Sequence, residues 1–121
     1  MAKKILVVDD EPDFIDAVRM RLEANGYEVI AAYEGQDGID KARKESPSLI
    51  LLDLVMPKLN GLAVLSKLKG DRATVNIPVV ILTAKTEAEY ALDAGKLGAS
   101  DYLVKPASMQ AIIDMVRKYL P

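Results

Sequence analysis

The chain has 121 residues, 16 Lys+Arg against 18 Asp+Glu, and no His, Cys or Trp, a length that suits one domain over 1–121 with a core that needs no covalent staples. Those missing residue types exclude disulfides, thiolate nucleophiles, Cys-ligated clusters, histidine bases and every Ser-His-Asp arrangement, which leaves carboxylates, hydroxyls, lysines or a bound ion for any chemistry. The net charge of −2 gives no footprint for nucleic acid, and no apolar run approaches the ~20 residues of a membrane span, so the expectation is a soluble, cytoplasmic protein.

Met1-Ala2-Lys3-Lys4 leads into the apolar run Ile5–Val8, which meets Asp9 and Asp10 too soon to be a signal peptide. That run predicts a strand, as do Leu49–Leu52 and Val79–Leu82; continuous Leu and β-branched runs without alternation suit strands buried on both faces of a parallel sheet. Tyr27–Ala32 and Tyr102–Val104 predict two weaker strands nearer the edges. Phe14, Val18 and Leu22 mark a first helix that stops at Asn25-Gly26, and residues 35–44 a second with Ile39 and Ala42 inward. Leu62, Leu65 and Leu68 mark a third between Asn60-Gly61 and Gly70. A fourth covers 86–94 with few large anchors, and Ile112, Val116 and Leu120 mark a fifth after Ser108 as N-cap. Strand and helix alternate five times, which argues a doubly wound α/β sheet with right-handed crossovers and helices on both faces.

Strands of a parallel sheet share one carboxyl edge, where open α/β folds bind ligands. Asp9, Asp10 and Glu11 follow the first strand, Asp53 ends the third, Thr83 follows the fourth and Lys105 the fifth. Each has a plainer reading. Asp10 before Glu11-Pro12 suits a helix N-cap, Thr83 could cap the next helix, and Lys105 could be only the ion-pair partner that a carboxylate at so apolar a strand end requires. Together they suit a hard cation held by carboxylates and an aspartate able to accept a phosphoryl group, a reaction that demands positioning and charge neutralisation.

The segments Val7-Val8-Asp9-Asp10-Glu11, Leu52-Asp53-Leu54-Val55-Met56-Pro57 with Asn60-Gly61, Leu82-Thr83-Ala84 and Gly98-Ala99-Ser100-Asp101-Tyr102-Leu103-Val104-Lys105-Pro106 occur in order across nearly the whole chain. In these the chain resembles a receiver domain of a two-component response regulator, of the single-domain, chemotaxis-regulator-like type. The resemblance implies a flavodoxin-like (βα)5 fold with a five-stranded parallel sheet in the order 2-1-3-4-5. It implies phosphorylation of Asp53 by a phosphohistidine on a sensor histidine kinase or phosphotransfer protein. Mg²⁺ or Mn²⁺ would be held by Asp10, Asp53 and the main-chain carbonyl of Val55, with Asp9 acting largely through water. Lys105 would pair with the phosphoryl oxygens and Thr83 would hydrogen-bond them; Tyr102 would be a rotameric switch, and the bond before Pro106 would be cis. The readout surface would be the fourth helix, fifth strand and fifth helix, facing a downstream protein target, and the domain would catalyse only its own phosphotransfer and dephosphorylation. Ala107 stands where many relatives have Phe, and Val55 and Lys85 stand at positions that tune phosphoryl lifetime in the family. Three other readings stay open: the receiver part of a DNA-binding regulator, a phosphorylation-independent interaction module, and a small aspartate-dependent phosphatase. A flavodoxin cofactor site fits poorly, because Asp9-Asp10-Glu11 would repel a phosphate.

Overall fold

A computed structural model describes residues 2–121. Five strands alternate with five helices: β1 Lys4–Val8, α1 Pro12–Ala24, β2 Glu28–Ala32, α2 Gly35–Glu45, β3 Leu49–Leu52, α3 Gly61–Lys69, β4 Val79–Thr83, α4 Ala88–Lys96, β5 Asp101–Val104 and α5 Met109–Tyr119. All neighbouring pairs are parallel and the sheet order is β2-β1-β3-β4-β5, the order the resemblance implies.

The two cores follow from the two-residue period of a strand, which sends successive side chains to opposite faces. Ile5 and Val7 of β1, Leu49 and Leu51 of β3 and Val80 and Leu82 of β4 meet Ile15, Val18 and Leu22 of α1 and Ile112, Ile113 and Val116 of α5. Leu6, Val8, Ile50, Leu52, Val79 and Ile81 face the other way, onto Ile39 and Ala42 of α2, Val64, Leu65 and Leu68 of α3 and Ala94 of α4. Both faces of β1, β3 and β4 are therefore apolar, and the three runs show no alternation. Each large side chain fully withdrawn from water there contributes about 1.5–3 kcal/mol.

Helix ends follow local chemistry. Asn60 and Ser108 cap α3 and α5, their side-chain oxygens accepting from the Ala63 and Ala111 N–H groups, each at 3.0 Å. α1 closes at Asn25, and Gly26 then takes φ +90°, a conformation that favours glycine.

The structure sets aside one of the plainer readings and corrects two expectations. Asp10 does not cap α1: the N-cap position is Glu11, without a side-chain cap. The carboxylate of Asp9 instead accepts the Glu11 N–H at 2.9 Å. The inward stripe of α1 runs through Ile15, not Phe14, which is only partly buried. α4 begins at Ala88, two residues later than its composition suggests, because the stretch after Thr83 runs as a loop; only Ala94 of this helix is buried.

Candidate functional site

The carboxyl edge of the sheet gathers the polar residues that the interior rejects. Asp9 and Asp53 sit one residue beyond β1 and β3, neighbouring strands whose register pairs Val8 with Leu52. Both are buried, at 2% and 5% exposure. Their main chains are anchored, since Asp9 N–H donates to the Ala32 carbonyl and Asp53 N–H to that of Val8, each at 3.0 Å. Their carboxylates repeat one arrangement. Oδ1 accepts the backbone N–H two residues on, Glu11 at 2.9 Å for Asp9 and Val55 at 3.0 Å for Asp53. Oδ2 faces Lys105, whose Nζ lies 2.6 Å from Asp9 and 3.5 Å from Asp53. Lys105 comes from the end of β5 and its bond to Pro106 is cis.

The ammonium of Lys105 is closer to Asp9 than to Asp53, and it also reaches Glu11 Oε1 at 3.5 Å. One carboxylate oxygen from each of Asp9, Asp10, Glu11 and Asp53 can be chosen so that all lie within 4.8 Å of one another. Three of these acids thus contact the Lys105 ammonium, and the fourth, Asp10, stands beside them. Burial pushes the Asp9 carboxyl above its ordinary range, against the pull of Lys105, and the nearby Asp53 charge adds to the rise. For Lys105 burial acts downward, but its hydrogen bond to Asp9 and the charges of Asp9, Asp53 and Glu11 raise it overall. Asp9 therefore stays raised even while paired, because the cost of burying its charge exceeds what Lys105 and the Glu11 N–H return. All-oxygen donors carrying surplus negative charge are the chemistry of a hard divalent cation such as Mg²⁺ or Mn²⁺, and this donor set fits one.

A cavity of about 300 Å³ lined by Asp10, Glu11, Asp53, Val55, Ala84 and Lys105 opens onto this cluster. Thr83 ends β4 fully buried, its Oγ1 accepting the Lys85 N–H at 3.4 Å, and it is not among the residues lining that cavity. Tyr102 of β5 is half-buried against the second core and donates its hydroxyl to the Lys85 carbonyl at 2.8 Å. Burial raises its phenol, and the charges of Glu87 and Asp53 add to the rise. Lys85 in turn places its ammonium 5.0 Å from the Tyr90 ring centroid.

Asp9, Asp10, Asp53 and Lys105 are brought together as one cluster; Thr83 and Tyr102 stand on the adjoining strands β4 and β5. Two site residues escape sequence reasoning. Phe14 puts its ring 3.9 Å from Lys105 Nζ. Gly61 leaves room for the backbone of Asp53 and Leu54, because a Cβ there would overlap the Asp53 carbonyl oxygen and Leu54 Cα. The signal for Phe14 was a large apolar residue one helical turn past Glu11, which reads equally as core.

The family model described as "Response regulator receiver domain" matches residues 5–117. The chain is 40% identical over 120 residues to the alkaline phosphatase synthesis transcriptional regulatory protein PhoP of Bacillus subtilis, covering 99% of this chain and 49% of that protein. It is 37% identical over 117 residues to protein PilH of Pseudomonas aeruginosa, covering 97% of both. Among solved structures, the chemotaxis protein CheY4 of Vibrio cholerae superposes with a TM-score of 0.93 at 27% identity, covering 98% of this chain and 99% of that one. A CheY-like receiver domain protein from Methanospirillum hungatei gives 0.93 at 28%, covering 99% and 94%. A doubly wound sheet with an acidic cluster at its carboxyl edge is the fold and site of two-component receivers, and this chain belongs to the response regulator receiver domain family. It spans about half the length of PhoP and nearly all of PilH. Among the described residues no helix is long and apolar enough to cross a membrane.

Proposed function

We propose that Asp53 is the phosphoryl acceptor of this receiver. The observation that carries the reading is a buried carboxylate at the end of β3, opening on a cavity and flanked by three further carboxylates and the Lys105 ammonium. Asp10 and Asp53, with the main-chain carbonyl of Val55, would hold Mg²⁺ or Mn²⁺, and Asp9 would act through water. When bound, that ion supplies positive charge against the carboxylates and the incoming phosphoryl oxygens.

An Asp53 carboxylate oxygen attacks the phosphorus of a phosphohistidine on a sensor kinase or phosphotransfer protein. The O–P bond forms, the N–P bond breaks, and the imidazole leaves with the bonding pair. The backbone N–H of Val55 holds the other Asp53 oxygen and so orients the nucleophile. Lys105, already 3.5 Å from Asp53, meets the new oxygens, and the Thr83 hydroxyl turns to donate to one of them. The added charge of about −1.5 to −2 then biases the loop after β4. Tyr102 holds that loop through the Lys85 carbonyl and acts as the aromatic switch. The face of α4, β5 and α5, with Leu92, Leu97 and Val104 exposed, presents the response to a protein target. On this reading 1–121 is one receiver unit, working in the cytoplasm and catalysing only its own phosphotransfer and dephosphorylation.

Intact mass after incubation with acetyl phosphate and Mg²⁺ tests it. One phosphoryl adduct that requires the metal and is absent from Asp53→Asn is expected. No adduct under any condition, or an undiminished one in the variant, overturns the assignment.

A further inference from the structure

Lys105 is enclosed from two sides. Oxygens of Asp9, Asp53 and Glu11 lie 2.6, 3.5 and 3.5 Å from its Nζ. The Phe14 ring, whose centroid is 3.9 Å away, covers a further side, and the cavity opens on another. The side chain is only 13% exposed, so the aromatic face stands where water would otherwise solvate the ammonium. Phe14 sits in the first turn of α1, displaced from the buried stripe of Ile15, Val18 and Leu22 by one position, and it packs against the edge of that core. Because Pro12 and the Glu11 N–H bonded to Asp9 define how α1 leaves β1, the ring's place over Lys105 is set by the same turn that sets the acidic cluster.

We propose that Phe14 is a positioning residue for Lys105, a cation–π rest that keeps the ammonium beside Asp53 when the neighbouring carboxylates are otherwise engaged; the inference rests on Asp53 being the acceptor. Asp9 holds Lys105 more closely than Asp53 does, and any cation drawn into the cluster weakens that hold by competing for the same carboxylate charge. The attraction of a ring face for an ammonium does not depend on the carboxylates and grows with desolvation. With Phe14 in place, Lys105 keeps its head at the cavity wall. Without it, a four-carbon stem with free rotamers carries the ammonium into solvent.

Phe14→Leu keeps an apolar side chain and removes the ring; Phe14→Tyr keeps the ring face. Proton NMR reads the Lys105 ε-methylene signal, assigned by its absence from Lys105→Ala. A ring this close shifts that signal upfield in the native protein and in Phe14→Tyr, and Phe14→Leu returns it to the free-lysine position. In parallel, phosphorylation by acetyl phosphate slows about five- to tenfold in Phe14→Leu, the scale of a largely desolvated cation–π contact, and stays near native in Phe14→Tyr. Thermal melts establish that each variant is folded. An unshifted ε-methylene signal in the native protein, a native rate in Phe14→Leu, or equal slowing in both variants overturns the proposal. If the native protein takes no phosphoryl group, the acceptor assignment falls, and the NMR comparison alone then decides whether Phe14 holds Lys105.

Discussion

Gly61 opens α3 with its N–H donating to the Leu54 carbonyl at 3.0 Å, so the helix and the loop that carries Asp53 are drawn against each other. The position has no room for a methyl group, and the atoms in the way are backbone, which cannot rotate aside. Gly61→Ala is expected to cost about 1–3 kcal/mol of stability, as overpacking does, which outweighs the ~0.5–1 kcal/mol that Ala gains over Gly in a helix. It also displaces Asp53 and Val55, so the acetyl phosphate reaction slows as well. Gly95 in α4 is the control. A Cβ there meets nothing within 4 Å, so Gly95→Ala should be neutral or slightly stabilising and leave phosphorylation unchanged. Urea melts and adduct time courses on the two variants separate a steric demand at the site from a general cost of losing glycine. Neither role was visible in the sequence, where Asn60-Gly61 reads as the start of a helix and says nothing about which backbone lies against it.

Among the elements, β1, β3 and β4 were legible because a strand buried on both faces has only one composition available to it. β5 was harder: its residues are half-buried or exposed, and part of its anchorage is polar. Asp101 Oδ2 accepts from Lys118 Nζ at 2.7 Å and from the Tyr119 hydroxyl at 2.9 Å, and Oδ1 from the Tyr102 N–H at 3.0 Å. These bonds tie the start of β5 to the end of α5. The Lys118 hydrogen bond holds the Asp101 carboxyl below its ordinary range, the Tyr102 and Tyr119 bonds assist, and partial burial opposes them. A carboxylate with a folded pKa below its unfolded one stabilises the fold above the unfolded value, and that contribution is lost as pH falls through the folded value. Asp101→Asn should therefore be less stable than the native protein at pH 7, by no more than about 1 kcal/mol because solvent reaches Lys118. Below the folded pKa of Asp101 the two proteins should converge. Urea melts stepped down from neutral pH check the sign, with the gap expected to narrow as acid is added, and a gap that widens in acid would rule the tie out. The first turn of α1 shows the other limit of element-level reading. Phe14 and Ile15 both fit an apolar stripe through Val18 and Leu22 by spacing, and only the place of Lys105, 91 residues beyond Phe14, separates them.

Across the whole molecule, the informative feature was convergence. Residues scattered from position 9 to position 105 meet because a parallel sheet has one carboxyl edge, and that follows from strand assignment before any coordinate is known. What the order of strands could not give was the balance of charge on that edge, with Lys105 leaning toward Asp9 and four carboxylates set against one ammonium. That imbalance has a consequence for stability. Carboxylates within 4.8 Å of one another repel by about 1 kcal/mol per pair even at the dielectric constant of water. Asp10 is exposed, so removing its charge should relieve repulsion at little cost in packing. Asp10→Asn is therefore expected to melt higher than the native protein without divalent metal, against the usual direction for a substitution. Mg²⁺ should act oppositely on the two proteins' ranking. A ligand at ten times its dissociation constant stabilises by about 1.4 kcal/mol, worth a few degrees in a domain of this size, and the variant, with one donor charge gone, should gain less. Melting curves with MgCl₂ against NaCl at matched ionic strength isolate binding from screening. A native protein that gains no more from Mg²⁺ than from NaCl would remove the cluster as a cation site. A destabilised Asp10→Asn would mean that its carboxylate is held by contacts stronger than the repulsion around it.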